Sequence, residues 1–296
     1  MIRYTGMKYF LDRVGLDSAN AYAAFTFYSG SSNNVDLIQK ITGESINYPA
    51  FGKSISTNND GTLLLVGAPG ETFTAPSLNS QITGRAYVYT SGISGKFILK
   101  QSLYPNETSG SFGFSTSSND DGSVLIVGNP VENLNTTGGA SYIYTGTKEN
   151  GWALKQILTG GGLTGYFGFD SAINSNGSVI AISAPFEFQG GISAGSVSIF
   201  TGNKSNGWIF KQKLTGDAVL GLSASDFFGF SLSMSKNAEI INIGGPGANV
   251  GVISLAGLVW AYTGNGSQWA LKQRVSGTAI TSLRRFGGSV SNNYDG

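Results

Sequence analysis

Short apolar runs separated by Gly-, Asn- and Ser-rich punctuation recur along the whole chain. Four of them are nearly interchangeable: LLLVGAP at Leu63 to Pro69, VLIVGNP at Val124 to Pro130, VIAISAP at Val179 to Pro185 and IINIGGP at Ile240 to Pro246. Runs of this length, bounded by turn residues and rich in aliphatic side chains, predict strands. Each is preceded by a more polar segment that starts with Phe-Gly and ends in Asp-Gly, Asn-Gly or Asn-Ala: from Phe51, Phe112, Phe167 and Phe228. A fifth copy of that segment, FGGSVSNNYDG, stands at Phe286 to Gly296.

The repeat extends further. An aromatic, alternating strand follows each apolar run after a variable loop: GRAYVYTSG from Gly84, ASYIYTG from Ala140, GSVSIFTG from Gly195 and GLVWAYTG from Gly257. A fourth strand comes next: KFILKQSL from Lys96, GWALKQIL from Gly151, GWIFKQKL from Gly207 and QWALKQRV from Gln268. Successive Phe-Gly pairs are about 55 to 61 residues apart, the period of one four-stranded unit. The repeats divide 51–111, 112–166, 167–227 and 228–285 into full units, with 1–50 and 286–296 as the parts of a fifth, all within a single domain.

Within each unit the residue types have local reasons. Asp60-Gly61, Asp121-Gly122 and Asn176-Gly177 sit between two strands, where a tight turn needs a left-handed residue. The small residues and Pro of Gly67-Ala68-Pro69 and its counterparts end the second strand and let a neighbouring sheet approach. The Phe of each Phe-Gly pair is suited to wedging between sheets, and Trp152, Trp208 and Trp269 to packing on the outer strand.

Composition agrees and narrows the chemistry. The chain has 296 residues, 44 of them Gly, with 40% hydrophobic and 12% charged residues, the usage of many short strands joined by turns. It has no Cys and no His, so disulfides, thiol nucleophiles, imidazole bases and zinc sites built on those ligands are excluded. A formal net charge of +1 removes any general electrostatic case for nucleic acid or an anionic membrane. No apolar run is long enough to cross a bilayer as a helix, and MIRYTGMKYFLDRVG lacks the apolar core of a signal peptide.

A four-stranded sheet repeated at this period predicts an all-β fold, a β-propeller of four-stranded antiparallel blades. The FG…DG…VGAP…YVYTG…WxxKQ pattern resembles the FG-GAP repeats of integrin α-subunit-like propellers, in the tryptophan-containing variety of bacterial, algal and viral surface proteins. That resemblance covers residue 17 onward and implies the fold rather than a function. It also implies calcium in the first hairpin of some members, but the hairpins depart from that pattern. Ser56, Asn58 and Asp60 are followed by Leu64 where a closing carboxylate belongs, and Ser117, Asn119 and Asp121 by Leu125. No metal and no cofactor is expected there, since calcium takes six to eight oxygens, several of them carboxylate.

The ends predict closure into five blades. Phe286 to Ser291 supplies a first strand, and Tyr22 to Tyr28 with Val35 to Ile41 supplies a third and a fourth. MKYFLDRVG, with Val14-Gly15, is the candidate second strand. The alternative is a piece of a longer chain.

Variable loops over a rigid scaffold are where binding is usually built. The loops between second and third strands share one face with the connections between units, and there Glu71, Glu132 and Glu187 each follow the Pro by two residues, with Phe73, Phe186 and Phe188 nearby. Carboxylates and aromatic faces suit a sugar, a cationic side chain or a metal. The expected function is a non-catalytic binding or structural module, extracellular or on a virion surface, engaging glycan or protein and able to join a larger particle or oligomer. The alternatives are a propeller from a larger secreted adhesin and a carboxylate-dependent glycoside hydrolase, which needs two carboxyls facing each other at a set separation.

Overall fold

A computed structural model describes residues 24–31, 34–43, 50–75, 80–92, 95–105, 110–131, 138–160, 165–189, 192–216, 226–277 and 285–293. These form an all-β structure whose main elements are four four-stranded antiparallel sheets, each running in chain order, with a small separate hairpin inserted between the second and third strands of one of them. Sheet 1 contains Ser54–Thr57, Leu63–Ala75, Ser80–Ser91 and Phe97–Leu103. Sheet 2 contains Thr116–Ser118, Val124–Asn129, Ala140–Thr147 and Gly151–Thr159. Sheet 3 contains Ser171–Ile173, Val179–Ala184, Ser196–Asn203 and Gly207–Thr215. Sheet 4 contains Ser231–Met234, Ile240–Gly245, Leu258–Gly264 and Trp269–Val275. Two smaller pairs, Ala24–Ser31 with Asn34–Thr42 and Phe188–Gln189 with Ile192–Ser193, complete the strands.

The apolar second strand has a direct structural reason. Leu63 and Leu65 pack toward sheet 2 with Phe112, Leu125 and Trp152, whereas Leu64 and Val66 pack on the opposite side with Ile41 and Phe51. Alternate residues of one strand thus enter two different cores, so every position is apolar. Sheets 2 and 3 share a core through Ile126, Phe167 and Ile182, and sheets 3 and 4 through Ala181, Phe228 and Ile243. Phe51, Phe112, Phe167 and Phe228 all lie in these layers, at most 3% exposed. Each such ring withdraws enough apolar surface to contribute roughly 1.5–3 kcal/mol.

Neighbouring sheets approach closely at the Gly of the second strand. A Cβ on Gly67 would stand 1.9 Å from the Gly113 carbonyl oxygen, on Gly128 2.0 Å from that of Gly168, and on Gly244 2.0 Å from that of Gly287. At the outer edge a second joint repeats. The side-chain amide of Gln101 donates to the carbonyl of Trp152 and accepts from its N–H, at 2.7 and 2.8 Å. Gln39 does the same with Phe97, Gln156 with Trp208 and Gln212 with Trp269.

The ends of the chain differ in part from expectation. The N-terminal pair forms, and Gln39 ties it to sheet 1. Residues 285–293 dock on sheet 4, where Phe286 bridges Gly257 and the Ser231 hydroxyl donates to the Gly287 carbonyl. Among the described residues they form no strand, and the candidate second strand, Met7 to Gly15, lies outside the described residues.

Candidate functional site

The hairpin face is built from side chains that close their own turns. Asn58, Asn119 and Asn174 accept the amides of Leu63, Val124 and Val179 at 2.8 Å. Asp60, Asp121 and Asn176 accept those of Thr62, Ser123 and Ser178 at 2.9 to 3.0 Å. Trp152, Trp208 and Trp269 donate their indole N–H groups to the turn carbonyls of Gly122, Gly177 and Ala238. Burial opposes ionisation of Asp60 and Asp121. Their bonds from Thr62 and Ser123, with the Lys148 and Lys204 ammoniums, outweigh it and hold both carboxyls below the usual value.

Of the carboxylates singled out from sequence, the two that the structure describes, Glu71 and Glu187, are buried. Glu71 is 3% exposed, accepts the Tyr87 hydroxyl at 2.6 Å and lies 3.5 Å from the Arg85 guanidinium. Burial, then the Glu71 carboxylate, pushes the Tyr87 hydroxyl far up from its ordinary pKa. Glu187, 9% exposed, accepts from the Ser196 hydroxyl and pairs with Lys213 at 2.7 Å. Glu71, which lies within the second strand of sheet 1 rather than in a loop, and Glu187, just after that of sheet 3, thus each tie their segment to later strands of their own sheet. Glu132 lies outside the described residues.

The aromatic residues separate into two groups. Phe73 carries the Arg85 guanidinium over its ring at 3.6 Å and meets Tyr104 edge-on. Phe186 instead joins a continuous cluster. It meets Tyr166 at 5.1 Å, Phe227 at 5.2 Å and Phe169 at 5.9 Å, and Phe169 in turn meets Phe114 at 4.9 Å and Phe230 at 5.1 Å. The Lys53 ammonium stands 4.8 Å over Phe114. Phe188, next but one to Phe186, is 58% exposed.

Phe114, Phe169 and Phe230 are the third residues of three Phe-Gly-Phe triplets, and Lys53 holds that place in the first copy. The first Phe of each triplet is buried between sheets, while the second is only partly buried. Because the inner strands of neighbouring sheets lie side by side, the second rings meet across them. Tyr166 and Phe227 occupy the left-handed region, at φ 57° and 53°, in the turn that leads into Phe-Gly. A bulky residue held there carries strain of about 1–2 kcal/mol. Sequence reasoning used only the first Phe of the triplet; the signal for the second was its recurrence at the same offset.

Beside this cluster, Asp170 stands where the other units have Ser54, Ser115 and Ser231. Those three hydroxyls donate to carbonyls of the next unit, whereas Asp170 accepts the amides of Leu232 at 2.7 Å and Ser171 at 2.8 Å. Burial pushes its carboxyl up to about 6, against the pull of those two amides.

No protein-family model matches the chain, and no curated protein matches it.

Proposed function

We propose that this chain is a non-catalytic binding module displayed on a cell or virion surface, with the partly exposed aromatic cluster as its recognition surface. The observation that carries the reading is the run of six rings, Phe114, Tyr166, Phe169, Phe186, Phe227 and Phe230, gathered from three units and flanked by Lys53. Rigid rings with little charge between them offer planar apolar faces to the C–H faces of a sugar, and they lose little side-chain entropy on binding. Glycan is the favoured ligand on this chemistry, and Phe186 and Phe188 are the sequence-predicted residues best placed to take part. A non-catalytic role is supported by Glu71 and Glu187, each consumed by partners within its own sheet rather than facing the other.

The scaffold proposed for this surface is a five-bladed propeller resembling the FG-GAP type. Its support is that Gln39 joins the N-terminal pair to sheet 1 through the same amide joint used between full sheets. At the other end, residues 286–287 meet sheet 4 as Phe112-Gly113 meets sheet 1. In a closed ring the two ends share one blade, which removes an exposed edge.

The test is a glycan array with the purified chain, followed by calorimetry on the best ligand with Phe169→Ala and Phe186→Ala. Binding at least about tenfold weaker in either folded variant supports the site, the scale of a lost aromatic contact. Unchanged binding, or capture of protein alone with no glycan, overturns the glycan reading.

A further inference from the structure

On the opposite face, two of the sheet junctions are spanned by a lysine and the third is not. Lys148, in the turn between the last two strands of sheet 2, donates to the Thr62 hydroxyl of sheet 1 and lies 3.8 Å from Asp60. Lys204 makes the same reach from sheet 3 to sheet 2, with Ser123 at 2.9 Å and Asp121 at 3.9 Å. The matching turn of sheet 4, Thr263-Gly264-Asn265-Gly266, has Gly266 where the lysine belongs, and the facing turn of sheet 3 has Asn176 in place of the aspartate.

The lost lysine leaves space. A cleft of about 960 Å³ opens between sheets 3 and 4, lined by Asn176, Ser178, Lys236, Glu239 and Gly266 among others. Nothing lies within 4 Å of a Cβ built on Gly266. Of the two acceptors that hold an ammonium elsewhere, the hydroxyl is kept: Ser178 accepts a single bond among the described residues, from the Asn174 amide at 3.2 Å, whereas Asn176 closes its turn through Oδ1 and sets an amide nitrogen where Asp60 and Asp121 offer Oδ2. Negative charge now comes from Glu239, an exposed carboxylate that has no ion pair among the described residues. The one cation of the lining, Lys236, is held at 2.6 Å by Asp120 of sheet 2, which also accepts the Ser175 hydroxyl at 2.7 Å.

We propose that this cleft binds a primary alkylammonium group, seated between the Ser178 hydroxyl and the Glu239 carboxylate where the other junctions seat their own lysine. The group is carried by a free aliphatic amine or by a lysine side chain of a polypeptide; both present the same slim, strongly hydrated cation. The intramolecular lysines fill their own junctions, so among the described junctions between the four sheets this one leaves an open seat for an external ammonium. This inference is independent of the glycan surface, because it uses other residues on another face.

The test is an amide-shift titration of the full chain with cadaverine, with a short peptide ending in lysine, and with pentanediol as the uncharged match. Saturable shifts at Asn176, Ser178 and Glu239 with the amines but not the diol are expected. The tighter of the two amines identifies the source. Glu239→Gln, on the exposed side of the cleft, is expected to weaken binding about tenfold, the scale of one lost charge-assisted bond. Asn176→Asp combined with Gly266→Lys, which rebuilds the internal bridge, is expected to abolish it. Equal shifts with the diol, no saturable shift with either amine, or undiminished binding by Glu239→Gln overturns the proposal.

Discussion

The side-chain amide of Gln156 forms two 2.8 Å hydrogen bonds with one residue of the next sheet, donating to the carbonyl of Trp208 and accepting from its N–H. It imitates a strand partner at an edge where the two sheets diverge too far for backbone pairing. Replacing it with Ala leaves both backbone groups to water at a half-buried site. The expected loss is about 1–2 kcal/mol of unfolding free energy, read from denaturant midpoints at unchanged slope. If the five-bladed ring is closed, Gln273→Ala, at the same place in sheet 4, destabilises comparably; in an open arc it is neutral.

The close approach at Gly128 makes a sharper prediction. An added methyl group there would stand 2.0 Å from the Gly168 carbonyl oxygen and 2.3 Å from the Ser115 hydroxyl oxygen. Backbone on both sides cannot yield without separating the sheets, so Gly128→Ala is expected to cost more than about 2 kcal/mol. Gly92→Ala, in open space, is expected to stay within about 0.5 kcal/mol.

Asp170 predicts a pH dependence that runs opposite to that of an ordinary paired carboxylate. Its folded-state value is raised to about 6 from 3.8, so the folded chain binds the proton more tightly than the unfolded one. That stabilisation is complete below the unfolded value and is lost as pH rises through the folded one. Asp170→Ser restores the residue of the other units and supplies a hydroxyl donor. The variant is expected to be more stable at neutral pH by about 1–3 kcal/mol and to lose the decline between those two values. Urea denaturation across that interval measures both.

Glu71 separates a structural from a binding role. With Tyr87 at 2.6 Å and Arg85 at 3.5 Å, its buried carboxylate neutralises a cation inside the sheet. Glu71→Gln keeps an acceptor but removes the charge, so a loss of roughly 1–3 kcal/mol is expected from thermal or denaturant unfolding. Ligand affinity of the folded fraction at the aromatic cluster is expected to stay unchanged.

The repeat itself announced the four sheets. Strand order, the turns at Gly61, Gly122 and Gly177 and the buried Phe of each Phe-Gly pair follow from local rules: two-residue periodicity, left-handed turn residues and doubly apolar strands. The candidate site was only partly legible. Loop position suggested that Glu71 and Glu187 face solvent, yet the folded chain turns them inward. Nothing in the local sequence shows that Arg85, Tyr87, Ser196 and Lys213 converge on them from strands further along.

The amino-acid sequence by itself determined the all-β architecture, the period and the pairing within each sheet, because those depend on neighbours along the chain. Tertiary structure alone decided what happens between sheets. It turned the second Phe of each triplet into one continuous surface, gave Gln101, Gln156 and Gln212 partners about 50 to 60 residues away, and opened a cleft where Gly266 replaces a lysine. Those outcomes depend on which side chains meet across a junction, and residues that meet there are separated in sequence by a whole unit.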